Sequence, residues 1–115
     1  MTRTAFVVDD QDYMRPLLRQ LLEDCGLLVV GEAGDAAGAL AGVAELEPDV
    51  VLLDVQLGRG SGIEVSRAIS GWPTRPTIVL ISTGDYGAVA RSCGADAFIP
   101  KGDLTRQSLL AAIEQ

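Results

Sequence analysis

"PDVVLLDVQLG" (residues 48–58) decides the fold. Val50, Val51, Leu52 and Leu53 form a continuous apolar run, the pattern of a strand covered on both faces. Yet the run ends in a carboxylate, Asp54, with the polar Gln56 two residues on. A charge at the end of so apolar a strand needs a reason.

Working outward, apolar runs and helical stripes alternate along the chain. "TAFVV" (4–8) reads as a strand. Met14, Leu17, Leu18, Leu21, Leu22 and Cys25 then recur at helical spacing until Gly26 stops the helix, with Asp12 placed as its N-cap. "LLVVGEA" (27–33) is a second strand. Asp35 can cap a helix carrying Leu40, Val43 and Ala44, which ends before Pro48. "VVLLD" (50–54) is the third strand, followed by the Gly-rich loop "QLGRGSG" and a short helix with Val65, Ala68 and Ile69 on one side. "TIVLIS" (77–82) is the fourth, leading to a helix with Tyr86, Val89, Ala90 and Cys93. "DAFIP" (96–100) is the fifth. The last helix has a Thr105 cap, with Leu104 and Leu109 spaced as a hydrophobic staple. Strict alternation of strands and helices argues for a parallel sheet with helices on both faces.

Composition narrows the chemistry. The chain has 115 residues, 48% of them apolar, enough for one domain with its own core, and no linker or repeat divides it. A single domain over 1–115 without an output domain is expected. Cys25 and Cys93 are far apart, lack CxxC spacing and lie on apolar stripes, so buried free thiols in a reducing cytoplasm are expected. No stretch has the roughly 18 consecutive apolar residues of a membrane span, and "MTRTAFVVDD" reaches acids too early for a signal peptide. Nine Lys plus Arg against sixteen Asp plus Glu give a net charge of −7, which offers no footprint for direct nucleic-acid binding. Histidine is absent, which removes His bases, His ligands and Ser-His-Asp or Cys-His nucleophile systems. Carboxylates, hydroxyls, lysine and a metal remain.

Open parallel sheets place their ligands outside the carboxyl ends of the strands. Read strand end by strand end, that edge gathers Asp9 and Asp10 from the first strand, Asp54 from the third, Ser82 and Thr83 from the fourth and Lys101 after the fifth. Clustered carboxylates repel, and a hard cation resolves the repulsion. Mg²⁺, or Mn²⁺ in its place, suits oxygen ligands and is commonly held by one or two carboxylates together with a phosphoryl oxygen. Asp54 can then act as a nucleophile on phosphorus, with Lys101 and the Ser82 hydroxyl meeting the phosphoryl charge. Taken singly, each residue has a plainer role as cap, turn residue or solvated charge. Their convergence on one edge is what points to chemistry. Asp12, as a cap, and Asp49, at the opposite end of the third strand, are not site candidates.

"VVDD" with Arg15 five residues on, "VVLLDVQL" with Gly62 eight residues after Asp54, "VLIS" and "GADAFIPK" together resemble the receiver domain of bacterial two-component response regulators over essentially the whole chain. The resemblance implies an α/β, flavodoxin-like, doubly wound five-stranded parallel sheet of order 2-1-3-4-5 with five helices, an order that a member of that family exemplifies. It implies that Asp54 is the phosphoacceptor, that Asp9, Asp10 and the Gln56 backbone carbonyl complete the metal site, and that Ser82 and Lys101 are the switch hydroxyl and phosphate-binding lysine. Phe98 stands where the family's switch aromatic lies; a buried core Phe in a strand is the plainer role, and the two are not exclusive. The implied partner is a histidine kinase or histidine phosphotransfer protein, with the downstream partner unspecified and a homodimer left open. Three positions depart from the family pattern. Gly58 replaces a usual Pro, which should make the loop more mobile. Gly102 follows the lysine where Pro is common, often through a cis bond. Thr83 stands where a small residue is usual, narrowing access.

Other classes fit less well. A phosphohydrolase with an Asp nucleophile would want an acid two residues on, and Gln56 cannot titrate. A nucleotide-binding module could use "GEAGDAAG" (31–38), but its glycines do not follow GxGxxG. A receiver that binds partners without phosphorylation is disfavoured by the complete acid and lysine set.

Overall fold

The computed structural model describes residues 2–114. Its elements are β1 (Thr4–Val8), α1 (Met14–Asp24), β2 (Leu28–Ala33), α2 (Ala36–Leu46), β3 (Val50–Asp54), α3 (Gly62–Ser70), β4 (Thr77–Ser82), α4 (Gly87–Ser92), β5 (Ala97–Pro100) and α5 (Arg106–Ile113). The five strands form one parallel sheet in the order β2-β1-β3-β4-β5. All of β3 is buried, which its uninterrupted apolar run demands. Alternate side chains of the strands serve two cores. Ala5, Val7, Val50, Leu52, Val79 and Ile81 pack under α1 and α5 through Leu18, Leu22, Leu109 and Ile113. Phe6, Val51, Leu53, Ile78 and Leu80 pack under α2, α3 and α4 through Val43, Val65, Ile69 and Ala90. Each fully buried Leu or Ile contributes roughly 1.5–3 kcal/mol. This apolar frame offsets the cost of burying charge at its carboxyl edge.

Local chemistry sets most helix ends. The Asp35 carboxylate accepts from the Gly38 N–H at 2.7 Å and caps α2. Ser61 caps α3 through the Ile63 N–H at 3.1 Å. Thr105 caps α5 reciprocally with Ser108, and Leu104 packs against the core cluster that contains Leu109. Gly26, at φ +87°, lets the chain leave α1 where a side chain would be strained.

Three expectations need correction. Asp12 does not cap α1: the N-cap is Tyr13, without a side-chain cap, and the Asp12 carboxylate is drawn instead to Arg15. Cys25 is free but only half-buried, with its thiol donating to the Arg106 carbonyl across the α1–α5 contact, whereas Cys93 is free and buried. The fourth helix starts at Gly87, leaving Tyr86 as its N-cap. In addition, a single 3-10 turn at Lys101–Asp103 joins β5 to the α5 cap. Every described peptide bond is trans, including that between Lys101 and Gly102.

Candidate functional site

The carboxyl ends of β1, β3 and β4 and the turn after β5 meet at one edge. Asp9 follows β1 and is wholly buried; its N–H donates to the Ala33 carbonyl of β2 at 3.1 Å. Asp54 ends β3 and is 3% exposed, while Asp10 is exposed. Carboxylate oxygens of Asp9, Asp10 and Asp54 lie within 4.8 Å of one another. From the far side, the Lys101 ammonium donates to Asp9 Oδ2 and Asp54 Oδ2, both at 3.1 Å. The second oxygen of each buried acid is held by a backbone N–H two residues on: Gln11 to Asp9 at 2.9 Å, Gln56 to Asp54 at 3.1 Å. A cavity of about 140 Å³ opens above Asp54, lined by Asp10, Gln11, Gln56, Thr83 and Lys101.

The geometry of α3 is part of this construction. Gly62 opens the helix against Asp54, and its N–H donates to the Val55 carbonyl at 2.9 Å. A Cβ at that position would overlap the Asp54 carbonyl oxygen, so only glycine lets the helix start this close. The intervening loop is closed by an antiparallel bridge between Gln56 and Ser61, and Leu57 is tucked into the core.

Two opposing forces act on Asp54. Burial, with a smaller push from the Asp9 charge, raises its pKa above the ordinary carboxylate value, although the Gln56 N–H and Lys101 pull it down. For Lys101 burial alone would lower the pKa, but the hydrogen bonds and charges of Asp54 and Asp9 outweigh it and hold the ammonium up. The one cation is paired with both buried acids. The ammonium form of Lys101 is therefore secure, and the strain of burial falls on Asp54.

The sequence-derived residues are brought together unequally. Asp9, Asp10, Asp54, Gln56 and Lys101 converge. Ser82 is fully buried behind the cavity wall; its Oγ accepts from the Gly84 N–H at 3.0 Å, which leaves its own proton free to donate. Thr83, not Ser82, lines the cavity. Phe98 is half-buried in β5, in register with Leu80, beside a cavity of about 280 Å³ between α4 and β5. Gln11 leaves no signal in the sequence because it contributes through its main-chain N–H. Arg15 was visible as a motif residue, but its contact with the Asp9 carbonyl was not.

Buried acids sharing one ammonium at the mouth of a doubly wound sheet define a class of α/β domain built around a single strand-terminal carboxylate. The family model for the response regulator receiver domain matches residues 5–114, and the chain belongs to that family, the signalling receiver domains of two-component systems. A protein-glutamate methylesterase/protein-glutamine glutaminase of Myxococcus xanthus is 44% identical over 102 residues, covering 84% of this chain and 29% of that protein. The transcriptional regulatory protein PdtaR of Mycobacterium tuberculosis is 35% identical over 115 residues, covering 97% of this chain and 55% of that protein. Among solved structures, a LuxR-family two-component response regulator from Aurantimonas sp. SI85-9A1 superposes with a TM-score of 0.88 at 31% identity, covering 99% of this chain and 84% of that one. The chain spans about a quarter to a third of the length of the methylesterase relatives it matches, and about half that of PdtaR.

Proposed function

We propose that Asp54 accepts a phosphoryl group from the phosphohistidine of a histidine kinase or histidine phosphotransfer protein, and that the modified domain switches its protein contacts. The observation that carries this reading is the Asp54 carboxylate itself: it ends the central strand, opens onto the cavity and is 3.1 Å from the Lys101 ammonium. A carboxylate oxygen forms the new bond to phosphorus as the bond from phosphorus to the donor's imidazole nitrogen breaks. Lys101 balances the phosphoryl charge that arrives, and the free proton of Ser82 can donate to a phosphoryl oxygen once the hydroxyl turns toward it.

The residues fit a divalent cation. Oxygens sharing a Mg²⁺ octahedron lie about 3–4 Å apart, and the three carboxylates approach that spacing. Each bonded oxygen keeps a second lone pair. Asp9, Asp10 and Asp54 would hold Mg²⁺ or Mn²⁺ with the Gln56 backbone carbonyl. When bound, the ion supplies charge neutralisation between the acids and the incoming phosphoryl oxygens.

Ser82 and Phe98 provide a readout. A hydroxyl drawn to the phosphoryl group vacates space at the end of β4, and the Phe98 ring can turn inward beside α4. A charge-assisted hydrogen bond of roughly 1.5–3 kcal/mol shifts such a two-state population by about ten- to a hundredfold. No helix among the described residues is long and apolar enough to cross a membrane, and we place the reaction in the cytoplasm, where two-component kinases present their phosphohistidine. The test is incubation with acetyl phosphate and Mg²⁺. Mass spectrometry should find one added phosphate, labile to hydroxylamine and absent from Asp54→Asn. Undiminished labelling of that variant would falsify the assignment.

A further inference from the structure

We propose that Arg15 is a positioning residue for the cation site: its guanidinium fixes the peptide plane between Asp9 and Asp10 and so aims the Asp10 carboxylate into the acid cluster. This rests on the reading of Asp9, Asp10 and Asp54 as cation ligands. Asp9 is held at every polar group. Its N–H donates to Ala33, its two carboxylate oxygens accept from Gln11 and Lys101, and its carbonyl accepts from Arg15 Nη1 at 2.6 Å. The exposed Asp10 carboxylate takes part in none of these bonds. The direction in which its Cα–Cβ bond leaves the main chain follows from the backbone, and the plane of the peptide preceding it is set by the carbonyl that Arg15 holds.

Arg15 is itself anchored. Its side chain is 17% exposed. Nη2 pairs with Asp12, Nε faces Glu32 of β2 at 3.5 Å, and the guanidinium lies against Gly34. Arg19 grips the other oxygen of Glu32 at 3.0 Å. A planar fork can reach a carbonyl and two carboxylates at once, whereas a lysine ammonium on a flexible stem would hold them less firmly. Arg15 therefore ties the turn after β1 to β2 and to α1 together.

The direction of the expected effect separates positioning from simple electrostatics. Removing a positive charge near a cation site should strengthen cation binding by Coulomb's law. Loss of positioning should weaken it, by roughly ten- to a hundredfold, the scale on which groups behind metal ligands act. Mg²⁺ affinity is measured by calorimetry on folded protein for the parent, Arg15→Ala, Arg15→Lys and Arg19→Gln, with amide ¹⁵N and carbonyl ¹³C shifts recorded without metal. Arg15→Ala should bind Mg²⁺ more weakly, Arg15→Lys should fall between it and the parent, and Arg19→Gln should match the parent. The metal-free shifts of the Asp9 carbonyl and Asp10 amide should move in both Arg15 variants. If Arg15→Ala does not fold, the charge-preserving Lys variant carries the test. Binding equal to or tighter than the parent's in the folded Arg15 variants overturns the proposal. A parent chain that fails to bind Mg²⁺ overturns the cation-site reading and this inference with it.

Discussion

Asp49 directly precedes β3 and Asp54 ends it, so the two acids stand at opposite ends of the strand. Asp49 lies at the amino end, exposed, and its carboxylate accepts from the Thr4 N–H at 2.7 Å while its own N–H donates to the Thr4 carbonyl at 3.0 Å. It closes the start of β1 onto β3. Asp54, at the carboxyl end, is buried, faces a second buried acid and depends on a lysine brought from 47 residues away. The same side chain is structural at one edge and costly at the other. The difference follows from parallel topology, which gathers every strand's carboxyl end, with its loop, on one side of the sheet.

The largest expected difference between the two acids is chemical. Asp49→Asn should take up phosphate from acetyl phosphate as the parent does, whereas Asp54→Asn should take up none, read as intact mass. Loss of uptake in Asp49→Asn, in protein shown to be folded, would break the division between the edges.

Next in size is a backbone effect. Gly62→Ala should destabilise the fold by about 2–3 kcal/mol, because its methyl group must displace the Asp54 carbonyl or the start of α3. Gly102, with nothing within 4 Å of its added Cβ, should tolerate alanine within about 0.5 kcal/mol. Urea midpoints decide between them, and equal midpoints would mean that the contact between α3 and Asp54 yields freely. Smaller still, Asp49→Ala should cost about 1–2 kcal/mol for the hydrogen bond lost at Thr4, with no change in Mg²⁺ affinity. A weakened Mg²⁺ affinity would show that the two edges communicate.

These two ends of β3 also mark how far the sequence could be read. The apolar runs at 4–8, 50–54 and 77–82 located three strands to the residue, because a strand buried on both faces leaves no polar ambiguity. Asp35 and Thr105 announced their helices because a cap acts within three residues of itself. Asp12 misled for the same reason in reverse: a competing partner, Arg15, lies one turn away. The convergence of Asp9, Asp10, Asp54 and Lys101 was legible through topology. Which hydroxyl at the end of β4 lines the cavity was not, since Ser82 closes the strand, Thr83 follows it, and successive side chains of extended chain point opposite ways. Main-chain contributions, such as the Gln11 N–H on Asp9, leave no trace in residue type.

The smallest effect tests the cost at Asp54 directly. Its pKa is raised in the fold, chiefly by burial, so the folded chain binds its proton more tightly than the unfolded chain does. Linkage then requires stability to fall as pH rises from the ordinary carboxylate range through the raised value, and to stay lower above it. Asp54→Asn removes that cost and leaves Lys101 one full partner in Asp9. In metal-free protein at neutral pH, this substitution should therefore raise Tm. The gain should shrink as pH falls into the range where Asp54 is already protonated. Asp49→Asn should show no such rise at neutral pH, because that carboxylate is exposed and hydrogen-bonded to a backbone N–H. Thermal melts of the parent and both variants in chelator, from about pH 4 to 8, measure it. A drop in Tm for Asp54→Asn at neutral pH would mean that the attraction of Lys101 outweighs the burial of the acid, and the asymmetry between the two ends of β3 would have to be explained by chemistry alone.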